Sequence, residues 1–327
     1  MSTLKSGQSV NVGRKTLSIE EKLGSGAFGT VYRARDVNSG DTCALKTINF
    51  TASDNSKIDL LRREVRTLQA ARHKYVVQIL GNDTLQLSQR NKLFLILTEY
   101  CAGGDLNSRL NKSSTNDKDM KWILQISEAL SYLHSLTPAI VHRDLKADNV
   151  LITNAYNEDL KLGDFGLARE YVGLKNIGYD GQSMETYYMT SGCGPIHWVA
   201  PEFFKVRYTD KADVFSLGGI FYAILERSFH WCGSKKMYGV FTDTPLGKMG
   251  LGRAMAFVDA HMKVQFTTSF RGSNSMKRVI EDMLEFDPHN RPSANEVYER
   301  LLNIKSSIKV VSVQQQSSAN DGSGGCC

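Results

Sequence analysis

The spacing of apolar residues changes character near residue 100, and this change constrains the fold more than any other feature of the chain. Before it, short alternating or β-rich runs at 18–23, 30–35, 42–48, 75–80 and 93–98 are interrupted by one helical stretch at 58–71, as expected of a sheet crossed by a single helix. After it, spacing by three and four dominates. Met120, Ile123, Ile126, Leu130 and Leu133 make one stripe within 119–135, and Met276, Val279, Ile280, Met283 and Leu284 make another. Residues 213–226 are apolar nearly all round, as in a helix buried at the centre of a domain. Asp287-Pro288 marks a stop, and Ser293 is placed to cap a last helix through Asn303. The spacing therefore predicts two unequal units, a small sheet-rich one joined near residues 99–104 to a larger helical one. A chain of 327 residues is long enough for both at about 150 residues each.

Residues 1–16 are polar without periodicity, and residues 304–327 contain Gln314-Gln315-Gln316 and Gly322-Ser323-Gly324-Gly325. Both are expected to be flexible tails. Forty Lys and Arg against 34 Asp and Glu give a net charge of +6. The basic residues form no run of five or six, so nucleic acid binding is not indicated. The start of the chain has no apolar stretch of signal-peptide type, and the longest apolar run, 217–225, is broken by two glycines and falls far short of the roughly 18 residues of a membrane span. The expectation is an intracellular chain, cytoplasmic or nuclear. The six cysteines are scattered with no Cys-x-x-Cys pair, which argues against zinc and for mostly reduced thiols.

Leu23 precedes Gly24-Ser25-Gly26-Ala27-Phe28-Gly29, a Gly-x-Gly-x-x-Gly sequence that serves dinucleotide sites and phosphate-covering loops alike. A dinucleotide fingerprint opens a helix. Here Thr30-Val31-Tyr32-Arg33 alternates and is β-branched at its start, so the glycines read as the turn of a hairpin whose amides can close over phosphates. Downstream, Lys46 ends the run Cys43-Ala44-Leu45, where an ammonium can meet α- and β-phosphate oxygens. Glu64 lies 18 residues later on the one helix of the small unit, and it is the candidate partner that orients Lys46. Then come Val141-His142-Arg143-Asp144-Leu145-Lys146-Ala147-Asp148-Asn149, Gly163-Asp164-Phe165-Gly166 and Ala200-Pro201-Glu202, in that order.

This set resembles the eukaryotic protein kinase family over about residues 17–303. The resemblance implies an α+β, bilobal protein kinase fold, with a small antiparallel-sheet N-lobe carrying one helix (about 17–100) and a larger helical C-lobe (about 101–303). It implies ATP and Mg²⁺ as cofactors and protein hydroxyls as acceptors. Asp144 would accept or orient the substrate hydroxyl, Lys146 would steady the γ-phosphate, and Asn149 with Asp164 would supply hard oxygen ligands to the metal. Thr98 resembles a small gatekeeper, Glu99 and Cys101 would offer backbone bonds to adenine, and Val31, Ala44 and Leu151 would sandwich the ring. Asp105 would lie at the ribose or substrate edge. Asp213 resembles the brace of the catalytic loop, and Arg291 the buried partner of Glu202.

Two departures bear on the acceptor. Pro195, in Cys193-Gly194-Pro195-Ile196-His197-Trp198, stands where Ser/Thr kinases usually carry threonine, and Tyr187-Tyr188 adds to a tyrosine-kinase impression. Lys146, two residues after Asp144, is the Ser/Thr arrangement. Residues 208–227 look most like a small animal group of serine/threonine kinases that interact with PDZ-LIM proteins. The expectation is Ser/Thr transfer, with tyrosine or dual specificity as the alternative. A pseudokinase scaffold is a further alternative, although Lys46, Asp144 and Asp164 are all retained. Hydroxyls at Ser183, Thr186, Tyr187, Tyr188, Thr190 and Ser191, within the 164–202 segment, make an upstream kinase or autophosphorylation the expected regulator, with phosphate paired to Arg143. Membrane attachment is expected only if the terminal Cys326-Cys327 pair is lipidated.

Overall fold

The computed structural model describes residues 4–26, 29–51, 54–164, 195–205 and 209–320. Six antiparallel strands form the first half: β1 (Ser9–Val12), β2 (Lys15–Gly26), β3 (Gly29–Asp36), β4 (Thr42–Thr51), β5 (Ile79–Gln86) and β6 (Asn91–Glu99), in the order β1-β2-β3-β4-β6-β5. The helix α1 (Asn55–Ala70) lies between β4 and β5 in sequence and buries Ile58, Leu61, Val65 and Leu68, one stripe at three- and four-residue spacing.

The run Leu93-Phe94-Leu95-Ile96-Leu97 explains how the sheet is covered. Leu93, Leu95 and Leu97 join one buried cluster, while Phe94 and Ile96 join the other, which continues into the helical half. A strand apolar on both faces must be covered on both. The second cover is the N-terminal segment: Leu4, Val10 and Val12 are buried in the cluster with Leu17, Leu45 and Leu95. The Leu4 amide donates to the Tyr32 hydroxyl at 3.1 Å, and Ser9–Val12 pairs with 15–18 of β2. Residues 4–16 are therefore a built part of the sheet, contrary to the flexible tail expected. Two apolar residues alternating over four positions are too short a pattern to register as a strand.

The second half holds a short turn of helix α2 (Leu106–Arg109), then α3 (Asn116–Ser135), strands β7 (Val150–Ile152) and β8 (Leu160–Leu162), α4 (Asp210–Glu226), α5 (Leu251–Phe257), α6 (Asn274–Met283) and α7 (Ala294–Asn320). In α4, every residue from Ala212 to Glu226 is buried, which is why its sequence shows no polar face. Ser293 caps α7 reciprocally with Glu296: the Ser293 hydroxyl accepts from the Glu296 amide, and the Glu296 carboxylate accepts from the Ser293 amide at 2.7 Å. The helix continues to Asn320, well past Asn303, into the segment expected to be a flexible low-complexity tail. No Gly or Pro interrupts the chain between Pro292 and Gly322.

Between α4 and α5 lie two hairpins that no sequence pattern announced, β9 (Phe229–Cys232) with β10 (Lys235–Tyr238), and β11 (Phe241–Thr244) with β12 (Gly247–Gly250). Cys43 and Cys101 are free and buried. No described helix is long and apolar enough to cross a membrane.

Candidate active site

A cleft of about 450 Å³ opens between the sheet and the helical half. Of the residues singled out in the sequence, Leu23, Gly24, Val31, Ala44, Lys46, Thr98, Glu99, Cys101, Asp105, Asn149, Leu151 and Asp164 line it. Ser25, Gly26 and Gly29 stand instead at the tip of the β2–β3 hairpin, paired Ser25 with Thr30 and Gly26 with Gly29. Gly29 has φ +125°, and a Cβ there would lie 2.0 Å from the Thr47 carbonyl oxygen, so only glycine fits the turn against β4. Ala27, Phe28, Phe165, Gly166 and the hydroxyls at 183–191 lie outside the described residues. Ile48, Val77, Ile79, Ile96, Tyr100, Ala102, Gly104 and Asp148 also line the cleft without having been singled out. Ile96 was the most accessible of these, because it lies two residues before Thr98 on the same strand face.

The connection after β6 leaves one edge open for hydrogen bonding. The Ala102 and Gly103 amides donate to Thr153 O and Ile152 O, while the Cys101 amide makes no hydrogen bond among the described residues. The Glu99 amide is spent on Gln78 O, and its carboxylate accepts from Lys161 at 2.7 and 2.9 Å. Burial pushes the Cys101 thiol up to about 11, so it stays protonated at the cleft wall. Asp105 caps α2, accepting from the Ser108 amide at 2.7 Å.

At the inner end, β4 and the loop after β8 bring Lys46 and Asp164 into an ion pair. The side chain of Glu64, on α1, lies outside the described residues. Loss of water around Asp164 opposes its charge, but the Lys46 ammonium more than offsets this and holds the carboxyl below its ordinary range. Asn149 donates from its amide nitrogen to Asp144 O at 2.7 Å and Asp164 O at 3.4 Å, which leaves its oxygen for a cation. Lys146 Nζ donates to Asp144 Oδ2 at 2.9 Å. Asn149 and Asp164 thus line one end of the cleft, and the Asp144–Lys146 pair adjoins it through Asn149.

The loop bearing Asp144 is held from below by α4. Asp213, fully buried, accepts from the His142 amide at 2.6 Å, the Arg143 amide at 3.0 Å and His134 Nε2 at 3.0 Å. Arg143 and Asp164 both adopt left-handed backbone, φ 65° and 50°, a conformation that costs a non-glycine residue of the order of 1 kcal/mol and persists when surrounding bonds fix it. The imidazole of His142 contributes on both sides: Nδ1 accepts from the Asp144 amide at 3.3 Å, so Nε2 carries the proton that meets Gly163 O at 3.0 Å. This is the neutral tautomer, in keeping with burial that lowers the His142 pKa.

Glu202 and Arg291 form a buried bidentate pair at 2.7 and 2.9 Å. Next to it in sequence, the turn Pro195–Trp198 carries His197, pushed down to about 4 by burial. A histidine held neutral in the fold takes up a proton on unfolding below its ordinary value of 6.5. Stability is therefore complete above about pH 6.5 and should be lost as pH falls toward 4, by about 2 kcal/mol at pH 5 from His197 alone. Thermal unfolding at a series of pH values checks this, and His197→Gln should flatten the slope.

The family model described as protein kinase domain matches residues 17–302. The chain is 38% identical over 208 residues to serine/threonine-protein kinase VIK of Arabidopsis thaliana, covering 62% of this chain and 44% of that protein. It is 36% identical over 231 residues to serine/threonine-protein kinase cds1 of Schizosaccharomyces pombe, covering 65% and 45%. Among solved structures, it is similar to Rad53 1–466 in complex with AMP-PNP, with a TM-score of 0.61 and 26% identity over 86% of this chain and 63% of that one. The chain spans about half the length of these two curated relatives.

Proposed function

The chain belongs to the protein kinase domain family, and from that premise we propose that it transfers the γ-phosphoryl group of ATP to Ser or Thr hydroxyls of protein substrates. The observation that carries this reading is the convergence of Lys46, Asp164 and Asn149 in a cleft with aliphatic walls, with the Asp144–Lys146 pair joined to Asn149 beside it. Phosphoryl transfer asks little covalent work of a protein; it asks for alignment and neutralised charge. Val31, Ala44 and Leu151 line the cleft and would hold a flat ring, with the Cys101 amide, which makes no hydrogen bond among the described residues, bonding its edge. Lys46 would meet phosphate oxygens, and Asp144 would orient the acceptor hydroxyl while Lys146 neutralises charge on the transferring group.

The residues fit Mg²⁺. A carboxylate at Asp164 and an amide oxygen at Asn149 are hard donors, few enough that phosphates and water complete the shell, as this ion prefers. Bound there, it would neutralise phosphate charge. Regulation by phosphate on the 164–202 segment belongs to the same proposal, since Arg143, an exposed residue, directly precedes Asp144. Membership of the PDZ-LIM-interacting group rests on residues 208–227 and is carried as part of the reading.

Pro195 supports the second reading, transfer to tyrosine. A degenerate peptide library incubated with the chain and Mg²⁺-ATP, followed by phosphoamino-acid identification, decides between them: phosphoserine or phosphothreonine is expected, and phosphotyrosine alone overturns the assignment. A thermal shift with Mg²⁺-ATP but no transfer to any peptide would favour a binding scaffold.

A further inference from the structure

We propose that residues 229–250 form a docking platform for acidic protein substrates, with Lys235 and Lys236 as its specificity-determining residues. The inference rests on the kinase reading above and names its substrate class. The platform begins where Arg227 closes α4 in left-handed backbone, φ 60°. From there β9–β10 is fixed against the catalytic side by Asn107, a fully buried side chain that donates to Lys236 O at 3.1 Å and accepts from the Tyr238 amide at 3.2 Å. The second hairpin grips the turn before Ala200. Phe241 stacks on His197 with centroids 5.2 Å apart, and Gly250 approaches so closely that a Cβ there would lie 2.4 Å from His197 Cα. The first hairpin therefore adjoins the catalytic loop, where Lys235 reaches Asp148, and the second adjoins the Pro195–Trp198 turn.

The charges on that surface select what it can hold. Asp148, four residues after Asp144, would draw basic side chains, but Lys235 Nζ sits 2.7 Å from its Oδ1 and cancels it. Lys236 is left over. Its ammonium lies 4.3 Å above the Phe229 ring and 5.5 Å from the Trp231 ring, with no carboxylate partner among the described residues. Trp231 is 55% exposed beside it, and His230 is exposed too. A cation resting on an outward-facing aromatic shelf suits an aspartate or glutamate side chain, with the indole covering the neighbouring backbone. The same arrangement repels lysine and arginine.

The test uses the full chain and three serine peptides flanked by glutamate, alanine or lysine. Binding is read by fluorescence anisotropy at low and high salt, and transfer is read with Mg²⁺-ATP. At low salt the glutamate peptide should bind roughly tenfold more tightly than the lysine peptide, as expected when Lys236 attracts the one a few-fold and repels the other a few-fold, and salt should narrow the gap. In Lys235→Gln/Lys236→Gln the preference should fall to about twofold, because Asp148 is uncovered as the cation is lost. The double variant should keep its thermal unfolding midpoint within about 2 °C of the unaltered chain, which verifies the fold. Equal binding of the glutamate and lysine peptides by the unaltered chain, or a glutamate preference left undiminished in the double variant, overturns the proposal. So does a dimer in sedimentation that dissolves in the double variant, which would give the platform to a second copy. A glutamate preference in binding without transfer to any peptide would count against the kinase reading and leave the docking inference standing.

Discussion

Asp164→Asn is expected to abolish phosphoryl transfer, by about a thousandfold or more, while the chain still folds. The scale is that of removing one preorganised charge from a site where charge must be neutralised during reaction. Three observations make the prediction specific. Asp164 is held ionised beside Lys46. Its side chain is 43% exposed to the cleft, so the substitution opens no cavity. Its backbone is left-handed, φ 50°, a form that asparagine tolerates well. Asp144→Asn should cost comparable rate yet spare ATP binding, because Asp144 meets Lys146 and the Asn149 side of the loop and does not line the cleft. Steady-state transfer together with a thermal shift by Mg²⁺-ATP separates the two variants. Wild-type turnover in either would remove that residue from the assigned role.

Arg291→Ala should be the most destabilising single change, by about 3–5 kcal/mol, the cost of leaving one member of a buried ion pair without the other. The guanidinium is fully buried and spends all its nitrogens: on Glu202, on the carbonyls of Glu285, Lys211 and Phe286, and over the Phe215 ring at 4.9 Å. Truncation strands the Glu202 carboxylate and three carbonyl oxygens in the interior. The unfolding midpoint should drop by roughly 10 °C. Pairing the change with Glu202→Leu should recover part of the loss, since an apolar replacement removes the stranded charge. A midpoint within about 2 °C of the unaltered chain would show that the pair holds little of the fold together.

The site was more legible in the sequence than the fold around it, for a physical reason. Lys46, Asp144, Asn149 and Asp164 are residue types that metal and phosphate chemistry demands, so they stand out at their spacing. Ile48, Val77 and Ile79 line the same cleft but are indistinguishable from core, because a ring of adenine size and a neighbouring side chain ask the same thing of an aliphatic wall. Long helices such as α4 and α6 announced themselves by periodicity. The four strands of the 229–250 platform, each four residues long and of mixed polarity, carry too few periods to be read. The N-terminal cover was missed for a different reason. The clue lay eighty residues away, in a β6 run with no polar face, which only makes sense if something lies on each side of it.

That strand has one more implication. Leu97 and Thr98 are neighbours in β6, yet Leu97 belongs to the interior roofed by the N-terminal segment while Thr98 belongs to the wall of the cleft. A single backbone serves as the partition between two rooms. How well Leu4, Val10 and Val12 seat themselves on one side therefore sets where that partition stands, and with it the width of the room next door.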